Sequence, residues 1–577
     1  MKPKHRCVRH LALCCDYDGT LAHHGHMDEP TRQALERVAA SGRRLVLVTG
    51  RELEDLGRVL EGIGLFDRVV AENGALLYTP STGEEKLLAA AAPEAFVHEL
   101  RARAVQPLSV GRSIVATWEP NDQAVLEVIR ELGLELHVIF NKGAVMVLPS
   151  GVNKASGLAA ALQDIGLSPH NAVGIGDAEN DHAFLKLCEV SAAVANALPS
   201  VKEGVDIVTR GDHGAGVIEL ADELLRDDLA SRVAQAGRHR IEIGASESGE
   251  MQGIDPQDAV MLITGRSGSG KSTVAKGLLE RLVEQQYSFC VVDPEGDYVG
   301  LPFAVTLGAE DQAVTVDAAM QVLDARNNAV LNLLGMALHD RPAFLASLMP
   351  RLAQSRARTG QPHWLVIDEA HHMLDAGLRS SRQTIGAGLE RAVLLTVHPD
   401  LIAREALRDV NALVVVGPGA ADGLRQFAKL TGRDIDAPAG PGDLEPGCAL
   451  TWLRNSGPTA QRVSVVPSRS QHRRHNRKYA EGELPEDRCF YFRGAQGKLK
   501  LRAQNLMVFL QMADGVDDET WLHHLRQGDY SAWFAHGIKD EALAVAAREI
   551  EATANPDPAQ TRAQMRSAIE RLYTAPD

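Results

Sequence analysis

The chain has 577 residues, which is too long for one hydrophobic core and predicts three or four domains. Hydrophobic residues make up 45% of it and charged residues 24%, values typical of globular proteins, so we expect most of the chain to fold. The formal net charge of −16 argues against a surface that attracts nucleic acid or anionic membranes as a whole, although it leaves room for a local basic patch.

Cysteine usage and hydropathy indicate the compartment. The seven cysteines are scattered without a CxxC pair or a metal-ligand spacing, a pattern that predicts a reducing, cytoplasmic environment. The first residues are basic, but the apolar run after them is short and ends in two aspartates, so we expect no signal peptide. Because no run of 18 apolar residues occurs elsewhere, we expect no membrane partner.

The order of apolar and amphipathic segments predicts an α/β fold. Short apolar strands alternate with amphipathic helices over residues 8–225 and again over 241–467, as in parallel sheets. Within the first module, residues 76–148 have the pattern of a small α+β insert that opens with a hairpin. A polar linker is predicted at 226–240 and a mostly helical domain at 468–577. The predicted architecture is therefore two Rossmann-like parallel-sheet modules followed by a helical tail.

Polar residues follow the buried strands of the first module at their carboxyl ends, where open α/β sheets place their sites. Asp16 and Asp18 follow the apolar run 11–15 and lie two residues apart, so an extended backbone points both to the same side. Alone, this pair is also typical of a capped turn. Three further groups follow in chain order, and with the pair they predict a phosphate site: Thr49-Gly50-Arg51, Lys154, and the carboxylate cluster from Asp177 to Asp181.

These groups suit the attack of a carboxylate on phosphorus. An anionic phosphate repels such a nucleophile, so Mg²⁺ must bridge the two. Mg²⁺ prefers oxygen ligands, which Asp16, Asp177 and a backbone carbonyl near Asp18 could supply. The side chain of Asp18 is then free to protonate the leaving oxygen and later to activate water. Thr49 offers a hydroxyl, and residues 50–51 offer backbone amides, to the phosphoryl oxygens.

In their order and context these motifs resemble the haloacid dehalogenase superfamily of phosphatases, over residues 8–225. Residues 71–75 and the insert resemble the branch with a type IIB cap, common among sugar-phosphate phosphatases. The resemblance implies a magnesium-dependent phosphomonoesterase with an aspartyl-phosphate intermediate. It implies these roles: Asp16 as nucleophile, Asp18 as acid and base, Thr49 and Lys154 as phosphate ligands, Asp177 on the metal, and Asn180 and Asp181 in support of phosphate and metal. We also expect Gly50 and Arg51 at the phosphate and Asp18 at the metal.

A second phosphate motif follows the apolar run 260–264. Residues 265–272 have the spacing Gly-x-x-x-x-Gly-Lys-Ser of a P-loop, whose backbone amides wrap phosphates. Lys271 would reach the β- and γ-phosphate oxygens, and Ser272 would bind Mg²⁺. The expected ATP-binding residues are Gly265, Ser267, Gly268, Ser269, Gly270, Lys271, Ser272 and Thr273.

Two carboxylates end the apolar segment 364–367. Asp368 would hold the metal's water shell, and Glu369 would polarise the attacking water. In isolation the pair is also typical of a helix start with favourable charge. Thr396 ends a further predicted core strand and is the candidate sensor of the γ-phosphate. With the P-loop, these residues predict ATP hydrolysis.

These motifs and the segment 291–298 resemble the HerA/FtsK division of motor ATPases over residues 240–467. The resemblance implies a homo-oligomer, commonly a hexameric ring, that moves nucleic acid. One departure weakens the expectation of motor action: Val397 stands where the family sensor usually has glutamine, with His398 beside it. The arginine expected to act across subunits has two candidates, Arg382 and Arg391.

Four functions remain open. The first, which we favour, is a phosphatase for a sugar phosphate or another small phosphate ester, joined to an ATPase that regulates or assembles it. The second is a nucleic-acid motor with an end-processing phosphatase, which the acidic charge disfavours. The third is a kinase–phosphatase fusion, which Glu369 disfavours because an activated water serves hydrolysis. The fourth is a nucleotide-gated assembly platform. The basic run 472–478 could contact phosphates, but such runs are also typical of solvated faces.

Overall fold

The computed structural model describes residues 8–141, 143–233, 239–257, 259–377, 389–438, 444–468, 489–494, 499–538 and 540–573. The basic run 472–478 and Arg382 lie outside these residues. The chain divides into two compact units, Met1–Val466 and Pro467–Asp577. The four-part division predicted above is finer than this and stays a prediction. Among the described helices, none has the length and apolar character needed to cross a membrane.

An eight-stranded sheet is the framework of the first module, and its central strands are buried along their whole length, as in parallel sheets covered on both faces. In spatial order the strands are Ile207–Val208, Val190–Ala193, Ala172–Gly176, Ala12–Asp16, Arg44–Val48, Arg68–Ala71, Leu76–Thr79 and Glu84–Leu87. The first six are parallel and the last two antiparallel. The helices of this module are Glu29–Ala40, Leu53–Val59, Lys154–Asp164, His182–Leu187, Pro199–Glu203, His213–Asp227 and Ala230–Val233.

The register of this sheet places three chemical groups at one edge. Asp16 pairs with Val48, and Cys15 pairs with Ile175 on the other side. Thr49 and Asp177 each follow the end of their strand by one residue. Because parallel strands end at the same edge, Asp16, Thr49 and Asp177 leave the sheet side by side.

A separate four-stranded antiparallel sheet, the cap sheet, forms the insert. Its strands are, in order, Leu136–Asn141, Ala144–Pro149, Val115–Trp118 and Ser109–Val110, and its helices are Glu94–Ala102 and Asp122–Glu131. The hairpin predicted at the start of the insert is present as Leu76–Thr79 and Glu84–Leu87, but it extends the core sheet and does not join the cap sheet. The reason is burial: Leu76 and Leu77 pack into the core beside the strand Arg68–Ala71.

The second module is built on an eleven-stranded sheet. In spatial order its strands are Met251–Ile254, Ile241–Ser246, Gln461–Val465, Cys448–Leu453, Ala412–Val416, Val260–Thr264, Ala392–Thr396, Trp364–Ile367, Phe289–Asp293, Ala329–Asn332 and Val305–Leu307. The last seven are parallel, and the first four are antiparallel. The helices are Lys271–Glu284, Val316–Asp324, Arg341–Thr359, Ala370–Met373, Arg404–Asp409 and Ala420–Thr431. Together the two modules have the predicted α/β fold class.

The C-terminal unit is mostly helical, as predicted. It contains the hairpin of Phe490–Phe492 with Leu501–Ala503 and the helices Leu506–Gly515, Asp518–Gln527, Asp529–Trp533, Glu541–Glu551 and Pro558–Tyr573. Trp521 is fully buried, stacks on Tyr530 with ring centroids 4.5 Å apart, and donates its indole N–H to Thr561 at 3.0 Å. Trp521 therefore belongs to the aromatic core of this unit.

Within the first unit, the two sheet modules meet through a buried carboxylate. Glu189 of the first module accepts hydrogen bonds from Tyr287 at 3.0 Å and from Gln257 at 2.5 Å, and it pairs with His170 Nδ1 at 2.5 Å. His170 also stacks on Tyr287, with ring centroids 3.7 Å apart. Glu189, His170 and Tyr287 all precede strands, so the modules join at the amino ends of their sheets. The carboxyl ends, which carry the candidate sites, lie at the opposite ends of the strands.

We expect Glu189→Gln to lower the free energy of unfolding by roughly 2 kcal/mol at neutral pH, because the buried hydrogen-bond donors around residue 189 lose their charged acceptor. Burial alone would raise the pKa of Glu189, but the hydrogen bond and charge of His170 outweigh it and hold the pKa at about 2. A carboxylate whose pKa is lowered by folding stabilises the protein above its unfolded pKa of roughly 4.3. This contribution should disappear as the pH falls from there toward 2.

Urea denaturation of both proteins at pH 7 and near pH 3 measures this difference. The matched control is Glu61→Gln, an exposed position in the same module, which should unfold like the wild type. Equal unfolding midpoints for Glu189→Gln and wild type at pH 7 would contradict the assignment.

Two candidate phosphate sites

A buried lysine joins the carboxylates at the edge of the first sheet. The Lys154 Nζ atom lies 2.5 Å from Asp16 Oδ1 and 2.6 Å from Asp181 Oδ1. Lys154 begins the helix Lys154–Asp164, which is held by the side chain of Asn153 through the N–H groups of the first turn. Burial would lower the pKa of Lys154, but Asp16 and Asp181 outweigh burial and raise it, so the ammonium stays charged.

Three carboxylates converge at this point. Asp16, Asp177 and Asp181 are buried, and each offers an oxygen within 4.8 Å of the others. Asp181 also accepts the backbone N–H groups of Asp177 at 2.9 Å and Ala178 at 3.0 Å, which fixes the loop after its strand. Burial raises the pKa of Asp16, and the charge of Asp181 raises it further. Three carboxylates beside one ammonium leave an excess of negative charge in a set of hard oxygen donors, which fits Mg²⁺.

The backbone of the nucleophile loop passes close to the metal carboxylates. Gly19 has φ +87°, and a Cβ atom there would lie 2.3 Å from Asp177 Oδ2. Only glycine fits this approach without displacing Asp177. Thr20, also buried, donates its hydroxyl to Asp177 Oδ1 at 3.4 Å. The Asp-Gly-Thr sequence after residue 17 therefore shapes the loop around the candidate metal position.

The side chain of Asp18 lies outside the carboxylate group. It is 45% exposed and makes a two-pronged ion pair with Arg51, from Nε to Oδ2 and from Nη2 to Oδ1, each at 2.7 Å. Arg51 also bonds Asp55 at 2.6 Å. The sequence places Asp18 at the metal together with Asp16, Asp177 and Asp181; the described carboxylate group contains the other three, and a metal role for Asp18 stays a prediction. Its exposed position leaves Asp18 at the mouth of the site, where a leaving group would depart.

The side-chain amides of Asn73 and Asn180 lie beside Gly50, where the sequence predicts phosphate binding. Asn180 Nδ2 donates to Asn73 Oδ1 at 3.3 Å. Among the described residues, no hydrogen-bond partner reaches the buried Asn73 Nδ2 or Asn180 Oδ1. A Cβ atom at Gly50 would lie 3.8 Å from Asn180 Nδ2 and 3.9 Å from Asn73 Oδ1. Asn73 was given no role by sequence reasoning, although its place after the strand Arg68–Ala71, beside that of Thr49, is the signal that could have found it.

The carboxylate of Glu72 anchors the cap sheet over this site. Glu72 is buried and accepts backbone N–H groups from Arg112 at 2.8 Å, Ser113 at 2.7 Å and Ile114 at 3.0 Å. On the same cap, Met146 Sδ lies 3.6 Å from where a Cβ atom of Gly50 would be. The cap therefore lies close over Gly50 at this side of the site.

The P-loop residues lie between the strand Val260–Thr264 and the helix Lys271–Glu284. The loop uses left-handed or extended glycine conformations, with φ +153° at Gly265, +73° at Gly268 and +99° at Gly270. Lys271 Nζ donates to the carbonyls of Gly265 at 3.3 Å and Arg266 at 3.2 Å, so its ammonium lies across the loop. Of the remaining predicted residues, Ser269, Ser272 and Thr273 are partly buried and Ser267 is exposed.

Thr396 lies between the P-loop and the candidate catalytic carboxylates because its strand separates theirs in the sheet. Asp368 is buried, and burial together with the neighbouring charge of Glu369 raises its pKa to about 7. Thr396 Oγ1 is hydrogen bonded to His371 Nδ1 at 3.0 Å, and that nitrogen lies 3.2 Å from Glu369 Oε2. His371, which sequence reasoning missed, links the sensor strand to Glu369.

The second candidate for a trans-acting arginine does not fit its prediction. Arg391 is 4% exposed, and it precedes the strand Ala392–Thr396, at the end of the sheet opposite Thr396. Its carbonyl accepts the N–H of Leu365 at 3.0 Å. A buried side chain at the amino end of the sheet cannot reach the nucleotide of a neighbouring subunit.

Comparison with known proteins gives a family match for each of the two sheet modules. Residues 13–106 and 119–220 match the haloacid dehalogenase-like hydrolases, and residues 254–401 match the AAA domain. The phosphoglycolate phosphatase of Methanothermobacter thermautotrophicus is 32% identical over 36% of this chain and 96% of its own length. Phosphoglycolate phosphatase 2 of Saccharolobus solfataricus is 27% identical over 39% of this chain and 96% of its own length.

Among solved structures, a haloacid dehalogenase-like hydrolase from Bacteroides thetaiotaomicron is 19% identical, with a TM-score of 0.32, over 37% of this chain and 98% of its own. The family match over residues 13–106 and 119–220 and the relative that is 32% identical show that the chain belongs to the haloacid dehalogenase-like hydrolases, as an enzyme that joins a phosphatase domain of that family to an AAA domain.

Proposed function

We propose that the first module is a magnesium-dependent phosphomonoesterase in which Asp16 attacks phosphorus and forms an aspartyl phosphate. The observation that carries the proposal is the Lys154 ammonium held between Asp16 and Asp181, with Asp177 beside them. Lys154 orients the Asp16 carboxylate and offsets the charge of the incoming phosphate. When bound to the three carboxylates, Mg²⁺ would neutralise the phosphoryl oxygens.

The remaining residues of the site have separate tasks in the proposed reaction. Thr49, the backbone at Gly50 and the amide of Asn180 bind phosphoryl oxygens. Asp18 protonates the leaving oxygen and, in the second step, takes a proton from the water that cleaves the aspartyl phosphate. Its ion pair with Arg51 keeps the carboxylate oriented at the exposed side of the site. Arg51 then lies where it can also neutralise an anionic substrate.

The substrate is proposed to be a small phosphate ester. The cap sheet is anchored by Glu72, and Met146 comes close to the phosphate side at Gly50, so the enclosed space suits a short leaving group. The relatives named phosphoglycolate phosphatases make phosphoglycolate the first compound to test, beside sugar phosphates. The same enclosure is the argument against phosphorylated nucleic-acid ends.

The second module is proposed to bind and hydrolyse ATP with Mg²⁺. Lys271 and the P-loop backbone hold the phosphates, Ser272 and Asp368 hold the metal, and Glu369 polarises water. Thr396 and His371 would report the γ-phosphate to Glu369, in place of the glutamine that Val397 replaces. The turn of residues 293–298 supports the HerA-like assignment, and with it a homo-oligomer. Because the two sites lie at opposite ends of the joined sheets, we propose that ATP controls or assembles the phosphatase and does not pass phosphate to it.

Asp16→Asn should lower kcat for phosphoglycolate or a chromogenic aryl phosphate by roughly 10³-fold or more, because the amide cannot attack phosphorus. Nucleotide binding should be unchanged. The matched control is Lys271→Ala, which should lose nucleotide binding and keep the phosphatase activity. Release of inorganic phosphate by Asp16→Asn at the wild-type rate would contradict the assignment of the nucleophile.

Glu369→Gln should lower ATP hydrolysis by about 10²-fold or more while nucleotide affinity is retained, since the amide cannot polarise water. Hydrolysis is measured as ADP formed, and affinity by titration with a fluorescent nucleotide. Unchanged hydrolysis would exclude Glu369 from the reaction. The same assay with added DNA separates the alternatives: stimulation favours the motor, whereas an ATP-dependent change in oligomer size without stimulation favours the assembly platform.

A screen of phosphate esters tests the proposed substrate class. We expect kcat/KM for phosphoglycolate or sugar phosphates to exceed that for phosphorylated DNA ends by about 100-fold or more, because the cap sheet, anchored by Glu72, excludes a polymer. Running the screen with and without ATP measures whether the second module controls the first. A preference for phosphorylated DNA ends would overturn the small-ester proposal.

A further inference from the structure

The turn after the strand Phe289–Asp293 places two side chains that neither the P-loop nor the carboxylate pair accounts for. Asp293 is fully buried, and its two carboxylate oxygens accept the backbone N–H groups of Asp297 at 3.0 Å and Tyr298 at 2.8 Å. Gly296, with φ +76°, lets the chain turn back between them. Both oxygens of Asp293 therefore bind the backbone of the turn, and this fixes the backbone positions of Asp297 and Tyr298.

Asp297 reaches the hydroxyl of the P-loop. The Ser272 Oγ atom donates a hydrogen bond to Asp297 Oδ2 at 2.8 Å. Ser272 is the P-loop residue whose hydroxyl binds Mg²⁺ in sites of this kind. The carboxylate of Asp297 is thus one hydrogen bond away from the candidate metal ligand, and the residue is exposed.

Tyr298 supplies an independent observation. Its side chain is fully buried, and among the described residues no group meets its hydroxyl with normal hydrogen-bond geometry. The ring lies under Lys276, whose Nζ atom is 5.5 Å from the centroid. The charges of Asp368, Asp293 and Asp297 act on the hydroxyl, and the Ser272 side chain is close enough for a weak hydrogen bond to it. A buried hydroxyl without a well-formed hydrogen bond is costly, so its position among these groups points to a further partner that arrives with the nucleotide.

We propose that Asp297 and Tyr298 belong to the Mg²⁺ site of the nucleotide, where Asp297 acts as a second carboxylate beside Asp368 and both residues hold metal-bound water. The inference rests on the proposed binding of Mg²⁺ and nucleotide at the P-loop. Asp297 orients Ser272 before the metal binds, and the Tyr298 hydroxyl accepts or donates to the water shell. Both are positioning residues for the metal, since neither touches the reacting phosphate in this arrangement.

The test measures how much Mg²⁺ the full-length protein needs to bind a fluorescent ADP at a fixed concentration. Asp297→Asn keeps the size of the side chain and removes its charge, and we expect it to raise the half-saturating Mg²⁺ concentration by about 10-fold. Nucleotide affinity in EDTA should stay the same. Glu310→Gln is the control, because it removes an equal charge from an exposed position of the same module and should leave the Mg²⁺ midpoint unchanged.

Two outcomes would overturn the inference: an unchanged Mg²⁺ midpoint in Asp297→Asn, or an equal loss of affinity with Mg²⁺ and with EDTA. Failure of the wild type to bind nucleotide under either condition would instead refute the proposed nucleotide function, so the two failures are distinguishable.

Tyr298→Phe gives a readout that a purely structural role would not produce. Without ligand, we expect its thermal unfolding midpoint to equal or exceed that of the wild type, because a buried hydroxyl without a well-formed hydrogen bond is removed. With Mg²⁺ and ADP, the upward shift of the midpoint should be smaller than in the wild type. A lower midpoint without ligand, followed by a wild-type shift on adding Mg²⁺ and ADP, would assign the hydroxyl to packing and overturn its role at the metal.

Discussion

The ammonium group of Lys154 is the interaction on which the first module depends. It lies in a buried position between Asp16 and Asp181, which come from different parts of the chain and repel each other. Removing one partner of a buried ion pair typically costs about 3–5 kcal/mol, because the remaining charge is left without compensation. Lys154 therefore makes it possible to bury the Asp16 carboxylate. Because this carboxylate is buried, nearby charges such as a metal ion or a phosphate act on it strongly. The capped start of the helix Lys154–Asp164 holds the ammonium at that point.

The second module also brings several carboxylates close together, and it compensates them with different groups. Asp293, Asp297 and Asp368 bring carboxylates together near Lys271 and Ser272, and the backbone rather than a lysine satisfies Asp293. Both modules place these groups at the carboxyl ends of parallel strands, where the sheet brings neighbouring loops together. They join through Glu189 at the amino ends, so the phosphatase and nucleotide sites lie at opposite ends of the first unit. Within one chain, the contacts at the amino ends, including those of Glu189 and the bond of His170 to the Gln285 carbonyl, connect the two modules.

Sequence predicts a site residue well when a short pattern around that residue determines its position in the fold. Asp16, Thr49 and Asp177 end buried strands, and Lys271 and Ser272 belong to a loop whose spacing defines its shape, so their neighbourhoods follow from short patterns. The pairing of Arg51 with Asp18, of Ser272 with Asp297, and of Thr396 with His371 depends on which strands are adjacent, and no local pattern states that order. The sequence indicates the hairpin but not which sheet it joins, because its alternating apolar residues suit the core sheet and the cap sheet equally. Arg391 was a candidate on residue type alone, and its burial rules it out.

The central claim is that the carboxylate of Asp16 attacks phosphorus, and chemical trapping tests it most directly. Borohydride reduces an acyl phosphate to an alcohol, so quenching the enzyme with borohydride during turnover of a phosphate ester converts a phosphorylated aspartate to homoserine. Mass spectrometry of the peptides then locates the change. We expect homoserine at position 16 in the wild type during turnover, and none when substrate is omitted. Unmodified Asp16 in an enzyme that is consuming substrate, or the change at another aspartate, would contradict it.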